Sequence, residues 1–319
     1  MNVSVILLNL GGPDSLKTVR PFLFNLFSDK AIIDLPFFIR YPLAFLISSL
    51  RANKAKMIYS KMGGKSPLLH FTKAQANALS DALKNDRVNF SVHIAMRYFY
   101  PRASDVIKEL KDAKPDLILL LPLYPQFSTT TTQSSFDEIK CLLQKTPAFQ
   151  NIKIKEVKEY SDHPLFVKAH TELIKKALSN IKDKESVVIL FSAHGIPLDC
   201  VTKKGDPYPL QIQKSVDSIM ENFKGIPFSL CYQSKVGPKK WLGPYTDDEI
   251  IKYAKCNKTL VVVPIAFVSD HSETLVELDM DYKDLAFENG AMDYIRVDSL
   301  NSHPTFIEAL KEIALSEIK

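Results

Sequence analysis

The chain has 319 residues, of which 46% are hydrophobic and 24% charged, with 10 Gly and 19 Pro. This composition excludes a disordered, collagen-like or coiled-coil chain, and the length suits about two domains. Lys and Arg total 41 against 36 Asp and Glu, a formal charge of +5. So mild an excess lacks the clustered basicity of a nucleic-acid binder, and no nucleic-acid partner is expected. It suits a small acidic ligand or contact with an anionic membrane surface.

Taken in chain order, residues 1–10 lack the basic start and cleavage site of a signal peptide. The longest apolar stretch, residues 35–50, is interrupted by Pro36, Arg40 and Pro42. It is also shorter than the roughly 20 apolar residues a membrane span needs. The four cysteines, Cys141, Cys200, Cys231 and Cys256, are far apart in sequence. They suggest neither a CxxC metal site nor a disulfide framework and read as reduced thiols. A cytoplasmic protein is expected, one that at most lies on a membrane.

Short runs of aliphatic and β-branched residues occupy 3–8, 90–96, 117–121, 152–157, 187–191, 228–232, 259–263 and 294–297. Helical periodicity falls between them, at 72–84, 103–113, 163–181 and 208–223, and again at 305–318. Continuous apolar runs suit parallel strands buried on both faces, and their alternation with helices suits βαβ units. The sequence also echoes itself. SDHPLF and NSHPTF place His-Pro pairs 140 residues apart (163 to 303), and the prolines of LLPLYP and VVPIAF lie 142 apart (122 to 264). LLNLGGP and LFSAHGIP place theirs 184 apart (13 to 197). Three echoes in one order point to duplication, with an insertion in the first half. The prediction is an α/β protein of two similar Rossmann-like domains, each a roughly four-stranded parallel sheet flanked by helices, with an active-site cleft between them. The domains are placed at 1–158 and 159–319, and an apolar lip is inserted at about 16–60.

Ligands of open parallel sheets bind outside the carboxyl ends of the strands. SAHGIP puts His194 directly after an apolar run, where a neutral imidazole can ligate a metal or accept a proton, or simply close a turn. SDHSETLVELDMDY spaces Glu273, Glu277 and Asp281 by four, which predicts one face of an α-helix. That row is a proton or metal relay with His271 beside it, or else a solvated face in which Asp270 and Glu273 act as a capping pair. Arg97 in AMRYFYP can contact an anionic ligand or form a structural ion pair. Trp241 in CYQSKVGPKKWLGP is a ligand platform or a loop anchor. Residues 128–132 suit helix capping, and His163 and His303 read as caps, whereas His70, His93 and His170 give no signal. GGP and GGKS do not complete a phosphate-loop pattern, which disfavours a nucleotide enzyme.

The ordered set LLNLGGP, GGKSP, AMRYFYP, PLYPQFSTTTTQSS, FSAHGIP, KKGDPYP, CYQSKVGPKKWLGP and PIAFVSDHSETLVELDMDY resembles the ferrochelatase family over essentially the whole length. The resemblance implies an enzyme that inserts ferrous iron into protoporphyrin IX, making protohaem. It implies His194 and Glu273 as the metal-site and catalytic pair, with Glu277 and Asp281 continuing the acidic line. Arg97 and Tyr98 match residues of the opposite wall. Arg51, Tyr59, Ser66 and Ser234 match positions that contact porphyrin propionates. Phe267 and Trp241 match cleft-lining aromatics, Leu10 suits the apolar slot, and the apolar insertion resembles a lip linked to membrane contact.

Ferrous iron enters this scheme as a substrate, and no cofactor is required. Some members carry a cysteine-rich C-terminal extension with an iron–sulfur cluster. No cysteine follows Cys256 here, so no cluster is expected. A monomer is favoured. Coproporphyrin III or another tetrapyrrole is the nearest alternative substrate, and a non-enzymatic tetrapyrrole carrier the alternative from another class. The chemistry suits the residues. Metalation removes two pyrrole protons and delivers one divalent ion, and mixed nitrogen and oxygen ligands hold ferrous iron loosely enough to release it.

Overall fold

The computed structural model describes residues 1–84, 88–237 and 239–318. Pro238, within the CYQSKVGPKKWLGP segment, lies outside the described residues. The chain divides into two units, Met1–Glu159 with Leu310–Lys319, and Tyr160–Ala309.

In the first unit, β1 (Asn2–Asn9), β2 (Asn89–Met96), β3 (Leu117–Pro122) and β4 (Lys153–Glu156) form a sheet in the order β2-β1-β3-β4, every neighbouring pair parallel. Ile6 and Leu8 of β1 and Ile118 and Leu120 of β3 pack on one face against α4 (Ala103–Ala113) and α5 (Thr132–Gln144), through Val106, Leu110, Phe136 and Ile139. α4 starts where the Asp105 carboxylate accepts the Arg102 N–H at 3.0 Å. α3 (Leu68–Ala82) precedes β2.

The predicted insertion is two helices, α1 (Val19–Phe27) and α2 (Phe37–Ser60), between β1 and α3. They build a small core of their own from Val19, Phe22, Leu23 and Tyr59 with Tyr98 and Phe99. Pro42, which interrupts the apolar stretch in the sequence, lies inside α2, and the helix runs through it for 24 residues. Arg40 secures the entry by donating to the carbonyls of Ser28 and Leu35.

The second unit repeats the arrangement. β5 (Val187–His194), β6 (Phe228–Gln233), β7 (Thr259–Pro264) and β8 (Asp293–Arg296) are parallel in the order β6-β5-β7-β8. The first strands start 185 residues apart (2 and 187), while the other pairs start 139, 142 and 140 apart. That drop in offset is the α1–α2 insertion, as the sequence echoes require. α6 (Pro164–Ser179), α7 (Leu198–Thr202), α8 (Tyr208–Met220), α9 (Thr246–Ala254) and α10 (Tyr282–Glu288) complete this unit. His163 caps α6 by accepting the Leu165 N–H at 3.3 Å, whereas His303 leaves its Nδ1 without a partner.

Two boundary expectations shift. The division falls after Glu159 rather than after residue 158, and the end of α11 (Pro304–Glu317) groups with the first unit rather than the second. There Glu317 pairs with Lys155 of β4 at 3.8 Å. Periodicity shows that a terminal helix has an apolar face but not which sheet receives it.

His170 gave no sequence signal, yet it is fully buried in α6 with neither ring nitrogen hydrogen-bonded, its ring edge-on to Phe166 at 4.8 Å. Burial, with the charge of His303 adding to it, holds its pKa down at about 3. The unfolded chain therefore takes up a proton below about pH 6.5 that the folded chain refuses, so stability falls as pH drops from there toward 3. H170L removes both orphaned nitrogens at similar volume. It is expected to raise unfolding stability by about 1–2 kcal/mol at pH 7, and by about 2 kcal/mol more at pH 5. Denaturant melts at the two pH values check both numbers.

Candidate active site

The chemistry gathers at the carboxyl ends of the second sheet. β5 ends on His194, whose Nδ1 lies 2.9 Å from Glu273 Oε2. Gly195 follows because nothing larger fits. A Cβ there would sit 3.0 Å from the Gln233 carbonyl and 3.3 Å from the Trp241 ring. The Gly195 N–H donates to that same carbonyl at 2.9 Å, and Tyr208 donates to the His194 carbonyl at 3.0 Å, so the strand end is fixed on both sides. Trp241 and Phe267 stand edge-on to the His194 ring at 6.5 and 6.3 Å, and Phe267 lies 4.5 Å from His271. Trp241 is also a loop anchor, its Nε1 donating to the Val236 carbonyl at 3.0 Å.

Glu273 begins a π-helix, Glu273–Asp281, where the spacing predicted an ordinary α-helix. Such wide turns are rare and frequently mark functional sites. The expected Asp270–Glu273 capping pair does not form. The Thr274 hydroxyl instead takes the His271 N–H at 3.0 Å and donates to Asp270 at 2.9 Å. Asp270 also accepts from Arg296 (3.2 Å), Ser299 (2.9 Å) and Asn301 (2.9 Å). One buried carboxylate thus ties the loop after β7 to β8 and to the loop that follows β8. Glu277 accepts from the Ser234 N–H (3.2 Å), the Ser234 hydroxyl (2.7 Å) and the Tyr282 hydroxyl (3.1 Å). Ser234, expected among propionate contacts, therefore spends its donors on Glu277. Glu277 borders a polar cavity of about 320 Å³ shared with Gln233, Tyr245, Asp247 and Tyr282. Asp281, last in the row, is exposed.

The environments push these acids apart. Burial would raise Glu273, but the His194 charge and hydrogen bond outweigh it, helped by His271 and Ser234, and hold the carboxyl down at about 2. Burial would lower His194, but Glu273, with Glu277 adding, raises it above the ordinary histidine value. Glu277 is raised by burial and by the Glu273 charge, against its hydrogen bonds from Ser234 and Tyr282. Burial lowers His271, which donates to or accepts from no carboxylate at hydrogen-bond distance and stands 3.9 Å from Glu273.

The other six predicted site residues lie in the first unit. Arg97 pairs with Asp29 (2.9 Å) and Glu138 (3.2 Å) and donates to Ser134 (2.8 Å), so the ion-pair alternative is the one realised. Tyr98 is buried and donates to Asp29 at 2.8 Å. Burial would raise Asp29, yet Arg97 and these donors keep it below the usual carboxylate range. Tyr59 is buried in the α1–α2 core and Leu10 packs against it. Arg51 lies over the Phe27 ring at 5.7 Å. Ser66 donates its N–H to the Pro13 carbonyl at 2.8 Å and packs so closely on Gly12 that a Cβ there would come within 2.5 Å of it. Residues 128–132 close a local turn in which Ser128 Oγ takes the Thr130 N–H at 3.2 Å.

A family model for ferrochelatase matches residues 2–318. The chain is 46% identical to a ferrochelatase of Aquifex aeolicus over 319 residues, covering 100% of both proteins. It is 48% identical to one of Rickettsia bellii over 319 residues, covering 99% of this chain and 87% of the relative. The chain belongs to the ferrochelatase family. Among solved structures, Bacillus subtilis SirB with Fe3+ superposes with a TM-score of 0.58 at 11% identity, covering 99% of this chain and 96% of that one. At that identity the likeness concerns the fold alone.

As a member of the ferrochelatase family the chain is a porphyrin metal chelatase of haem biosynthesis. Among the described residues no cluster of three or more His, Cys, Asp or Glu forms a metal cage. His194 Nε2 and Glu273 Oε1 offer one nitrogen and one oxygen, donor types that suit a divalent transition-metal ion. Sequence reasoning missed Asp29, Ser134, Gln233 and Tyr282 and read Asp270 only as a cap. Asp29, Ser134 and Gln233 act chiefly through partners 37 to 105 residues away, whereas Tyr282 directly follows Asp281 and reaches Glu277 five residues back.

The balance at His194 predicts a sign. In E273Q burial persists while the main opposing charge is gone, so the His194 titration midpoint falls from above 6.5 to below it. Histidine NMR across pH 4–9 reads the shift, and an unchanged midpoint would contradict the assigned cause.

Proposed function

We propose that this protein inserts ferrous iron into protoporphyrin IX, with His194 taking up pyrrole protons and Glu273 steadying the cation. The supporting observation is the 2.9 Å His194–Glu273 contact at the end of β5, with Glu277 next along the π-helix and Asp281 exposed beyond it. A neutral His194 carrying its proton on Nδ1 presents a bare Nε2 lone pair. Pyrrole N–H breaks, imidazole N–H forms, and the ring nitrogen acquires the metal bond as the cation moves off Glu273. Two protons leave for each ion delivered. Glu277, raised and therefore able to hold a proton that Glu273 cannot, is suited to pass them to Asp281 and water. Because Glu273 raises His194, kcat/KM is expected to climb through a midpoint above pH 6.5 as the imidazole loses its proton. No cofactor and no iron–sulfur cluster enter this scheme.

Protoporphyrin is favoured over coproporphyrin III by α2. Its buried face is made of Ala44, Ser48 and Ala52, while Phe37 (70% exposed), Phe38 (64%), Phe45 (56%) and Leu50 (73%) face water. That inverts the pattern of an ordinary soluble helix and suits an apolar macrocycle and a lipid surface. No helix among the described residues is long and apolar enough to cross a membrane. A monomer acting in the cytoplasm, peripherally attached through α2, fits these features.

An anaerobic assay with ferrous iron, read by loss of free-base fluorescence, is expected to favour protoporphyrin over coproporphyrin III by at least about tenfold in kcat/KM, the effect of about 1.4 kcal/mol of binding. H194A and E273A are each expected to abolish insertion while porphyrin still binds. A preference for the four-carboxylate ring, or full activity in either variant, would overturn the assignment. Replacing Phe37, Phe38 and Phe45 together by Ser should cut co-sedimentation with anionic vesicles by more than half, with circular dichroism unchanged. Undiminished sedimentation would remove α2 as the membrane contact.

A further inference from the structure

Behind the His194–Glu273 pair runs a buried chain of polar groups that the chemistry above does not use. Ser192, two residues before His194 on β5, is fully buried. Its hydroxyl donates to Gln233 Oε1 at 2.6 Å. Thr246, also fully buried at the start of α9, places Oγ1 3.0 Å from Ser192 Oγ. Ser192 has one proton and spends it on Gln233, so Thr246 is the donor in that contact. Gln233, 2% exposed, pairs with His194 across the sheet and turns its Nε2 toward Glu273 Oε2 at 3.5 Å.

The directions in this chain are forced. An amide has one accepting end and one donating end. With Oε1 accepting from Ser192, the NH2 end must face the carboxylate. Turned over, Gln233 would aim its carbonyl at the ionised Glu273, a repulsive contact. Two groups therefore approach the same carboxylate oxygen, Oε2, one from His194 and one from Gln233. Oε1 is left as the oxygen that can meet a cation.

We propose that Gln233 is a positioning residue for Glu273, held in its working orientation by Ser192 and Thr246, and that this chain keeps the neutral His194 proton on Nδ1 so that Nε2 faces the substrate. The 3.5 Å approach is at the long end for a hydrogen bond, a length from which catalytic hydrogen bonds commonly tighten in the Michaelis complex. The inference rests on the roles given above to His194 and Glu273.

The test uses the full-length protein with Q233L, S192A, T246V and T246S. Q233L is expected to lower kcat by about tenfold or more, with the porphyrin KM within about twofold, the signature of a contact made in the transition state. Without Gln233 to hold the carboxylate in line, Glu273 meets the imidazolium less well, so the acid limb of kcat/KM moves down by about half a pH unit or more. S192A and T246V shift the limb in the same direction by less, whereas T246S, which keeps the hydroxyl, stays within about twofold of the parent. Nitrogen NMR of His194 without substrate reads the same effect independently, as a gain of the Nε2–H tautomer in Q233L and S192A. Wild-type pH profiles and tautomers in Q233L and T246V would overturn the inference, as would equal losses in T246V and T246S. A parent protein that inserts no iron, yet shows the tautomer shift, would sink the proposed reaction and leave the positioning role standing.

Discussion

The second unit is organised around one charge-assisted hydrogen bond, His194 Nδ1 to Glu273 Oε2 at 2.9 Å. Both groups sit where burial disfavours their charged forms, and each is kept charged by the other. A bond of that kind is worth little on an open surface and a great deal where water is scarce. It demands that two segments, 79 residues apart in sequence, stop in register. Gly195 lets β5 turn within 3.0 Å of the Gln233 carbonyl, and Asp270 gathers four donors to seat the loop that carries Glu273. Loosening either would move the carboxylate and leave a buried charge without its partner.

The same acids divide the labour further along the π-helix. Glu273 is driven down and Glu277 up, although they are identical side chains one turn apart. Glu273 takes the nearest positive charge, while Glu277, raised by burial and by that carboxylate, has the hydrogen bonds of Ser234 and Tyr282 and a weaker pull from His194 to offset them. Opposed shifts in neighbouring groups mark out which can carry a proton and which stays a fixed charge. The first unit uses its ionic cluster differently. Arg97, Asp29, Glu138 and Ser134 satisfy one another, and Tyr98 is closed in with them. That network secures the end of α1 to the sheet and engages Arg97 through Nε, Nη1 and Nη2.

Much of this was legible in the sequence, for identifiable reasons. Parallel strands are buried on both faces, so their apolar runs stand out, and all eight fell within a few residues of the observed strands. His194 and Glu273 could be found because each follows such a run. The π-helix could not, because a spacing of four keeps Glu273, Glu277 and Asp281 on one side whether the helix is wound as α or as π. The roles of Gln233, Asp270 and Asp29 were invisible for another reason. Each relies on a distant partner, Glu273 at 40 residues for Gln233, Ser299 at 29 for Asp270 and Ser134 at 105 for Asp29, a contact that no local pattern encodes. Arg97 shows the limit from the other direction, since its position was read correctly while its partners decided between the two roles it could play.

α2 adds a constraint that composition alone could not express. A helix whose small residues, Ala44, Ser48 and Ala52, face inward and whose large apolar residues face outward buries little surface for its length. It is held at its ends by Arg40 and Tyr59 and along its length by contacts to α1, with Arg20 over the Phe45 ring and bonded to Ser49. Phe37, Phe38, Phe45 and Leu50 are each more than half exposed. The 24 residues of α2 include no acid and four basic side chains, Arg40, Arg51, Lys54 and Lys56. An apolar surface rimmed only by positive charge is matched by a partner that is greasy within and anionic at its edge. A dicarboxylic porphyrin and the face of an anionic bilayer both meet that description. The proposed substrate and the proposed membrane contact therefore call for the same surface chemistry.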